Sequence, residues 1–226
     1  MSVPGVLSLL IVGAGGGLGK ALVREALSRG AKVSVLVRSA AKYSAEAAEE
    51  LPRLAAVHEG SGADPAAVAK AASAAGASVV LGCMGGDAAF ARGIAEGAAA
   101  AGVHKLVGVA GATNLRDEDG VTPLWIKWAQ KWPPAESAFK AHGGAIAAYR
   151  EVAAATPGFV YTVFCPPYMA AKGAVSSPRL AIRVDRPGLD FISFEDAAWT
   201  MMEAATSSTY DNALITNAAP GVKAEL

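Results

Sequence analysis

The sequence predicts an α/β fold built on a doubly wound parallel sheet, and three observations predict it. Short apolar runs alternate along the chain with longer stretches at helical spacing, the order that parallel strands joined by crossover helices require. The first run, residues 7–12, has the unbroken apolar character of a strand covered on both faces. It leads directly into a glycine-rich turn and then into a helix marked by Leu22, Val23 and Leu27. The 226 residues, 53% of them hydrophobic, suffice for one substantial core. No repeat, linker or low-complexity tail divides them, so residues 1–226 are expected to form one domain.

Composition narrows the function classes. Twenty basic and twenty acidic residues leave a net charge of zero, which gives no electrostatic case for nucleic acid or an anionic membrane. Glycine or charge interrupts every apolar stretch well before the roughly 20 residues needed to span a bilayer. The first apolar segment is already a strand and no basic region precedes it, so a cytoplasmic location is expected rather than secretion. Cys83 and Cys165 lack a metal-ligand or CxxC spacing and read as free thiols, and no metal site is expected. The final residues, 223–226, faintly resemble an ER-retention tail, which means nothing without an entry signal.

The glycine turn is the first informative site. Gly13, Gly16 and Gly19, with Gly15, Gly17 and Leu18 between them, give the spacing GxxGxxG. A turn between strand and helix must bring backbone N–H groups close to a pyrophosphate at the positive end of that helix, and a Cβ would obstruct the approach. A flexible loop is the alternative, but the strand before and the helix after favour a Rossmann-type dinucleotide site. The second strand, residues 32–37, ends in Arg38 and Ser39, with Lys42 one helical turn on. An acidic residue at that strand end would hold a ribose 2′-OH, whereas an arginine accommodates a 2′-phosphate, so NADP(H) is favoured over NAD(H). The alternative is a solvated arginine at a strand end.

Residues 54–59 form the third expected strand, in which His58 reads as a surface or strand residue. Gly60-Ser61-Gly62 follows, and Asp64-Pro65 starts a helix. The fourth strand, residues 78–81, runs into Gly82-Cys83-Met84-Gly85-Gly86, where small residues permit close approach of a cofactor ribose. Asp87 can cap a helix running to Ala100, and residues 105–109 make the fifth strand. A charged insertion, residues 115–134, carries Trp125, Trp128 and Trp132 at spacings that share one face if the segment is helical. That face is satellite core or a subunit contact, or else a lid over a flat ring. A long helix is expected over 135–155, broken or bent near Gly143-Gly144, and a sixth strand over 159–165 leads into Pro166-Pro167-Tyr168. Residues 180–184 and 189–192 look like short strands around Arg186-Pro187-Gly188. Residues 193–196 resemble a capping box for a last helix, and residues 213–216 return to the sheet edge.

With Gly13 to Gly19, Arg38, Leu81-Gly82, residues 105–113 and residues 161–168 in place, the chain resembles an atypical short-chain dehydrogenase/reductase of the NmrA-like group. Within that group it is similar to the NADPH-dependent flavin reductase and biliverdin-IXβ reductase family. The likeness spans nearly the whole chain, including residues 192–196 and Tyr210-Asp211. It implies a monomer, or a weak homodimer, that reduces a ring acceptor such as a flavin, quinone or tetrapyrrole by direct hydride transfer. It also implies that Gly13 to Gly19 hold the pyrophosphate, Arg38, Ser39 and Lys42 the 2′-phosphate, and Ser61 and Gly62 the adenine. Leu81, Gly82, Cys83 and Val109 would flank the ribose and nicotinamide, with Pro167 and Tyr168 behind the ring and Tyr168 as the catalytic candidate.

The departures are informative. The family's serine after the fifth strand aligns with Gly111, with Thr113 nearby, and its histidine after the double proline aligns with Tyr168. Many enzymes of this fold use a tyrosine and a lysine four residues later on the long helix. Tyr149 stands there with Ala153 as its partner position. Tyr168 and Lys172 match the letters YxxxK, but after a strand and two prolines no helical relation is expected. Dehydrogenation of alcohols, which needs a strong base, is therefore disfavoured, as is epimerase or dehydratase chemistry. Reduction of an electron-poor ring survives, because solvent can supply the proton. His142 is expected on the helix surface, with a place in the pocket as the alternative. A second reading is a non-catalytic NADP(H)-binding, redox-sensing regulator of the NmrA-like type.

Overall fold

The computed structural model describes residues 6–171, 176 and 179–222. Lys172 of the YxxxK match and residues 223–226 of the C-terminal tail lie outside these. The first half alternates strictly: β1 (Ser8–Val12), α1 (Gly17–Ser28), β2 (Lys32–Val37), α2 (Ala40–Glu46), β3 (Ala56–Glu59), α3 (Pro65–Ala75), β4 (Val79–Gly82), α4 (Ala88–Ala100) and β5 (Lys105–Val109). Then come α5 (Leu124–Ala129), α6 (Ala135–Ala155), β6 (Val160–Phe164), β7 (Tyr168–Ala170), β8 (Ala181–Val184), β9 (Phe191–Ser193), α7 (Phe194–Thr206) and β10 (Ala213–Ala218). Eight of these strands form one sheet in the order β3-β2-β1-β4-β5-β6-β10-β8, parallel except for the β10–β8 pair. The fold is the expected doubly wound Rossmann-type α/β sheet.

The two-residue period of β1 shows what holds it. Leu9 and Ile11 enter the core shared with α1 and α7, while Leu10 and Val12 enter the core shared with α3, α4 and α6. All four are at most 1% exposed. Fully burying such a side chain stabilises the fold by roughly 1.5–3 kcal/mol, so β1 has no solvent face on which charge is tolerated.

Of three expectations two need correction, and the short strands around Arg186-Pro187-Gly188 are present with their pairing now defined. The long helix α6 is unbroken over 21 residues. Gly143 and Gly144 lower its intrinsic propensity by about 1 kcal/mol each relative to alanine, but they also admit close neighbours. A Cβ would stand 3.3 Å from Asn114 Nδ2 at the first and 3.4 Å from Ala88 Cβ at the second. Packing on α4 and the hydrogen bond from Asn114 Nδ2 to the Phe139 carbonyl, 3.0 Å, support an uninterrupted helix through them. Second, the segments around Arg186-Pro187-Gly188 join different sheets. Strand β8 pairs antiparallel with β10, and β9 pairs in parallel with β7 as a separate two-stranded sheet. The divergence follows from the turn, where Asp185 takes φ +48° and Gly188 lies so close to the Asn217 carbonyl that no side chain fits. Third, β10 lies inside the sheet between β6 and β8, and β8 is the edge.

Ser193 caps α7, accepting the Asp196 N–H at 2.9 Å, but the box is not reciprocal. The Asp196 carboxylate accepts from the hydroxyls of Ser193 and Ser176 and from the Ser176 N–H instead.

Helix α4 approaches the 60–64 turn closely enough that a Cβ at Gly93 would fall 2.6 Å from the Ala63 carbonyl carbon. Backbone cannot retreat as a side-chain tip can. Gly93→Ala is therefore expected to destabilise the protein by about 1–3 kcal/mol despite alanine's better helix propensity, measured as a lower urea midpoint at unchanged m-value.

Candidate functional site

The connections after β1 and β4 diverge to opposite sides of the sheet, which opens a crevice beyond their carboxyl ends. The turn after β1 lies on this edge. Gly13 adopts φ +86°, a left-handed conformation that L side chains rarely take. Gly19 seats α1 on the turn, because a Cβ there would lie 2.5 Å from the Gly13 carbonyl. Gly15, Gly16 and Gly17 form its exposed rim, whereas Leu18 is buried in the α1–α7 core. Helix α1 carries no side-chain N-cap and no acid in its first turn, so among the described residues no side chain satisfies its leading N–H groups. With the dipole behind them and no Cβ in front, these groups fit a pyrophosphate. The ring of Phe194, the first residue of α7, packs where a Cβ on Gly17 would go, 2.5 Å from it.

Arg38 stands exposed just past β2, without an ion-pair or hydrogen-bond partner among the described residues. Ser39 caps α2, its hydroxyl accepting the Lys42 N–H at 3.3 Å. The Lys42 ammonium is mostly in solvent, 3.7 Å from Glu46. Ser61 is exposed at the end of β3, but Gly62 is buried, and a Cβ there would meet the Phe90 ring and Val12. Gly82 is similarly constrained by Ile94. Both glycines therefore serve helix packing beneath the edge, and their backbone is what they offer a nucleotide.

Leu81 and Val109 are buried in the α1–α7 core and also present backbone only. Cys83 is partly buried against Gly13, and burial pushes its thiol up to about 12. Pro167 is partly buried. Tyr168 is 73% exposed on β7, its ring tilted against Phe191 at 5.9 Å. Tyr168–Ala170 is a strand and not a helix, and position 172 of the YxxxK match lies outside the described residues. Tyr149 is fully buried, its ring filling the space opposite Gly108, and burial drives its phenol far above the ordinary range. It is a core residue and serves no open cleft. Thr113 is buried too, its hydroxyl donating to Asn114 Oδ1 at 3.3 Å.

Two sequence expectations shift at the far end of the edge. Helix α5 ends at Ala129, so Trp132 lies beyond it and the three tryptophans do not share one helical face. Trp125 stacks on Phe139 at 5.5 Å, Trp128 packs against the α6-side core, and Trp132 is 45% exposed. Trp125 and Trp128 are satellite core. The insertion is pinned by Arg116 to Asp185, 3.1 Å, and by Glu118 to Arg183, 2.9 Å. His142, expected on the helix surface, instead turns inward and fills the space beside Gly111. The signal for it was present in Gly85, Gly86 and Gly111, three residues without side chains at adjacent strand ends, but spacing alone does not reveal which group occupies such a gap.

A family model described as NAD(P)H-binding matches residues 13–208, and the chain belongs to that family of NAD(P)H-binding proteins. No curated protein matches the sequence. Among solved structures, it is similar to a Burkholderia pseudomallei protein provisionally assigned as exported, at 26% identity and TM-score 0.74, covering 94% of this chain and 100% of that one. It is similar in fold to ChuY, an anaerobillin reductase from Escherichia coli O157:H7, at 21% identity and TM-score 0.69, covering 96% and 99%. The same holds for a short-chain dehydrogenase/reductase from Veillonella parvula in complex with NADP, at 18% identity and TM-score 0.72, covering 95% of both chains.

With its thiol raised to about 12, Cys83 is expected to react with a disulfide reagent at pH 8 on the order of a thousandfold more slowly than free cysteine. The released chromophore in native and denatured protein measures this directly. Rapid native labelling at position 83 would contradict the burial described.

Proposed function

We propose that the chain is an NADPH-dependent oxidoreductase that reduces a conjugated ring acceptor such as a flavin, quinone or tetrapyrrole. The observation that carries this reading is one sheet edge. It bears an exposed guanidinium at Arg38, unpaired among the described residues, then the open glycine turn, and then an exposed aromatic at Tyr168. Bound at that edge, the reduced dinucleotide supplies a hydride. The Gly13–Gly19 turn, including Gly15, Gly16, Gly17 and Leu18, holds the pyrophosphate through its N–H groups, and Arg38, Ser39 and Lys42 hold the 2′-phosphate. Ser61 and Gly62 border the adenine, while Leu81, Gly82, Cys83 and Val109 flank the ribose and nicotinamide with backbone. Pro167 backs the ring, and Tyr168 stacks on the acceptor or donates a hydrogen bond to it.

No tyrosine–lysine pair on α6 supports alcohol oxidation, since Tyr149 is sealed in the core and Ala153 follows it. ChuY's anaerobillin reduction and the NADP of the Veillonella protein support a reductase with this nucleotide. Among the described residues no helix is long and apolar enough to cross a membrane. The reading is of a cytoplasmic monomer, or weak homodimer, acting on a small molecule without nucleic acid or membrane.

Purified protein with NADPH and a panel of FMN, riboflavin, small quinones and a linear tetrapyrrole is expected to oxidise the nucleotide faster than the uncatalysed reaction. Tight NADPH binding with no turnover across the panel would instead assign a redox-sensing regulator. A charge-assisted hydrogen bond contributes about 1.5–3 kcal/mol, so Arg38→Asp is expected to weaken NADPH roughly ten- to a hundredfold by calorimetry while sparing NADH. Unchanged NADPH affinity would overturn the cofactor assignment.

A further inference from the structure

His142 comes from the first half of α6, yet its imidazole lies against the carboxyl ends of two central strands. A Cβ on Gly111, just past β5, would fall 2.5 Å from its Cδ2 and 2.7 Å from its Nε2. One on Gly86, just past β4, would fall 3.1 Å from Cε1 and 3.3 Å from Nδ1, and one on Gly85 would be 3.4 Å from Cε1. Gly86 and Gly111 thus leave the room that the ring occupies. Nδ1 is buried without a hydrogen-bond partner among the described residues. A sealed polar atom of this kind is uncommon in folded proteins and asks for an explanation beyond packing.

The charged groups on the surrounding elements are engaged elsewhere. Asp87 accepts the Phe90 N–H to cap α4, and the Cys83 thiol is held protonated by burial. Arg92 of α4 pairs with Glu96 on the same helix and with Glu151 at the far end of α6. Lys127 of α5 pairs with Asp117, and Lys140 with Glu136. In the turn after Gly111, Asn114 donates to the Phe139 carbonyl. Burial alone, with no opposing charge, holds the imidazole below the ordinary histidine range.

We propose that His142 is the proton donor of the acceptor cleft, serving a conjugated acceptor whose nitrogen or oxygen gains the electron pair as hydride adds to the ring. This rests on the reductase reading. The imidazole is neutral at rest and takes a proton from solvent at Nε2, since Nδ1 is the sealed nitrogen. Its N–H bond then breaks as the N–H or O–H bond on the acceptor forms, which returns the ring to its neutral form. The balance is one hydride from the nucleotide and one proton from solvent through His142, with the acceptor reduced by two electrons and the nucleotide oxidised. Because the imidazolium is disfavoured by burial, it is the stronger acid once formed, and turnover rises as pH falls toward the His142 pKa.

The test compares wild type, His142→Phe and His142→Gln in two measurements. In NADPH oxidation with FMN and a small quinone from about pH 5 to 8.5, both variants are expected to lose roughly a hundredfold in kcat and the acid-side rise, with the KM for NADPH unchanged. In FMN binding to protein saturated with NADP+, followed by flavin fluorescence, His142→Phe is expected to bind about tenfold more weakly, the loss of one hydrogen bond. His142→Gln, which keeps an N–H donor but no transferable proton, is expected to bind more nearly as wild type does. Gly111→Ala, which displaces the ring, is expected to lower kcat in wild type and to have no further effect in a His142→Ala background. Unchanged kcat and pH profile in both His142 variants would overturn the proposal. Wild type that binds FMN without turnover would overturn the reductase reading and proton transfer with it, and the FMN affinities would still decide whether His142 contacts the acceptor. Wild type that neither binds nor reduces any of the panel would overturn both.

Discussion

The close seating of α1 on the turn after β1 is the constraint from which the rest of this edge follows. Without a Cβ at Gly19 the helix comes down onto the Gly13 carbonyl, and that contact fixes the direction in which its leading N–H groups point. The same placement sets α1 against α7, whose shared core takes up alternate residues of β1. A bulkier residue at position 19 would lift the helix, misdirect the amides and open the core together. The aim of the amides and the packing of the helix are here consequences of one distance.

Much of the fold was legible because the sheet is parallel and covered on both faces. Strands β1, β2, β4, β5 and β6 are largely apolar short runs, whereas β3, with His58 and Glu59 at the sheet edge, is placed by the strand–helix alternation around it. Legibility fails where contacts are long-range. The pairing of β7 with β9 and of β8 with β10 depends on the 185–188 turn lying against Asn217, a closeness that local pattern does not encode. Helix α6 misleads for a similar reason, since its glycine pair signals a break by propensity yet serves as a contact surface by packing.

The candidate site divides along the same line. Its nucleotide half is written in backbone geometry, and glycine is conspicuous in any sequence. Its acceptor half is written in which side chain reaches into which gap. Tyr149 and His142 are both on α6, seven positions apart, and helical spacing makes either a plausible occupant of the cleft. The structure separates them: Tyr149 fills the space under Gly108 and His142 the space beside Gly111. The aromatic insertion shows the same dependence, because Trp125 could be assigned to packing only once Phe139 was placed against it.

The ring of Phe194 resting on Gly17 joins the beginning of the chain to its end. Arg24 and Glu195, whose side chains meet beside this contact at 3.4 Å, are 171 residues apart in sequence. During synthesis the glycine turn is made well before the element that covers its flank, which comes with α7. Until then the nascent chain carries an apolar strand and an uncovered helix face, which a chaperone or an aggregation partner can reach. The turn is therefore completed only after a segment far downstream in the chain has been made, however early its own residues are ready.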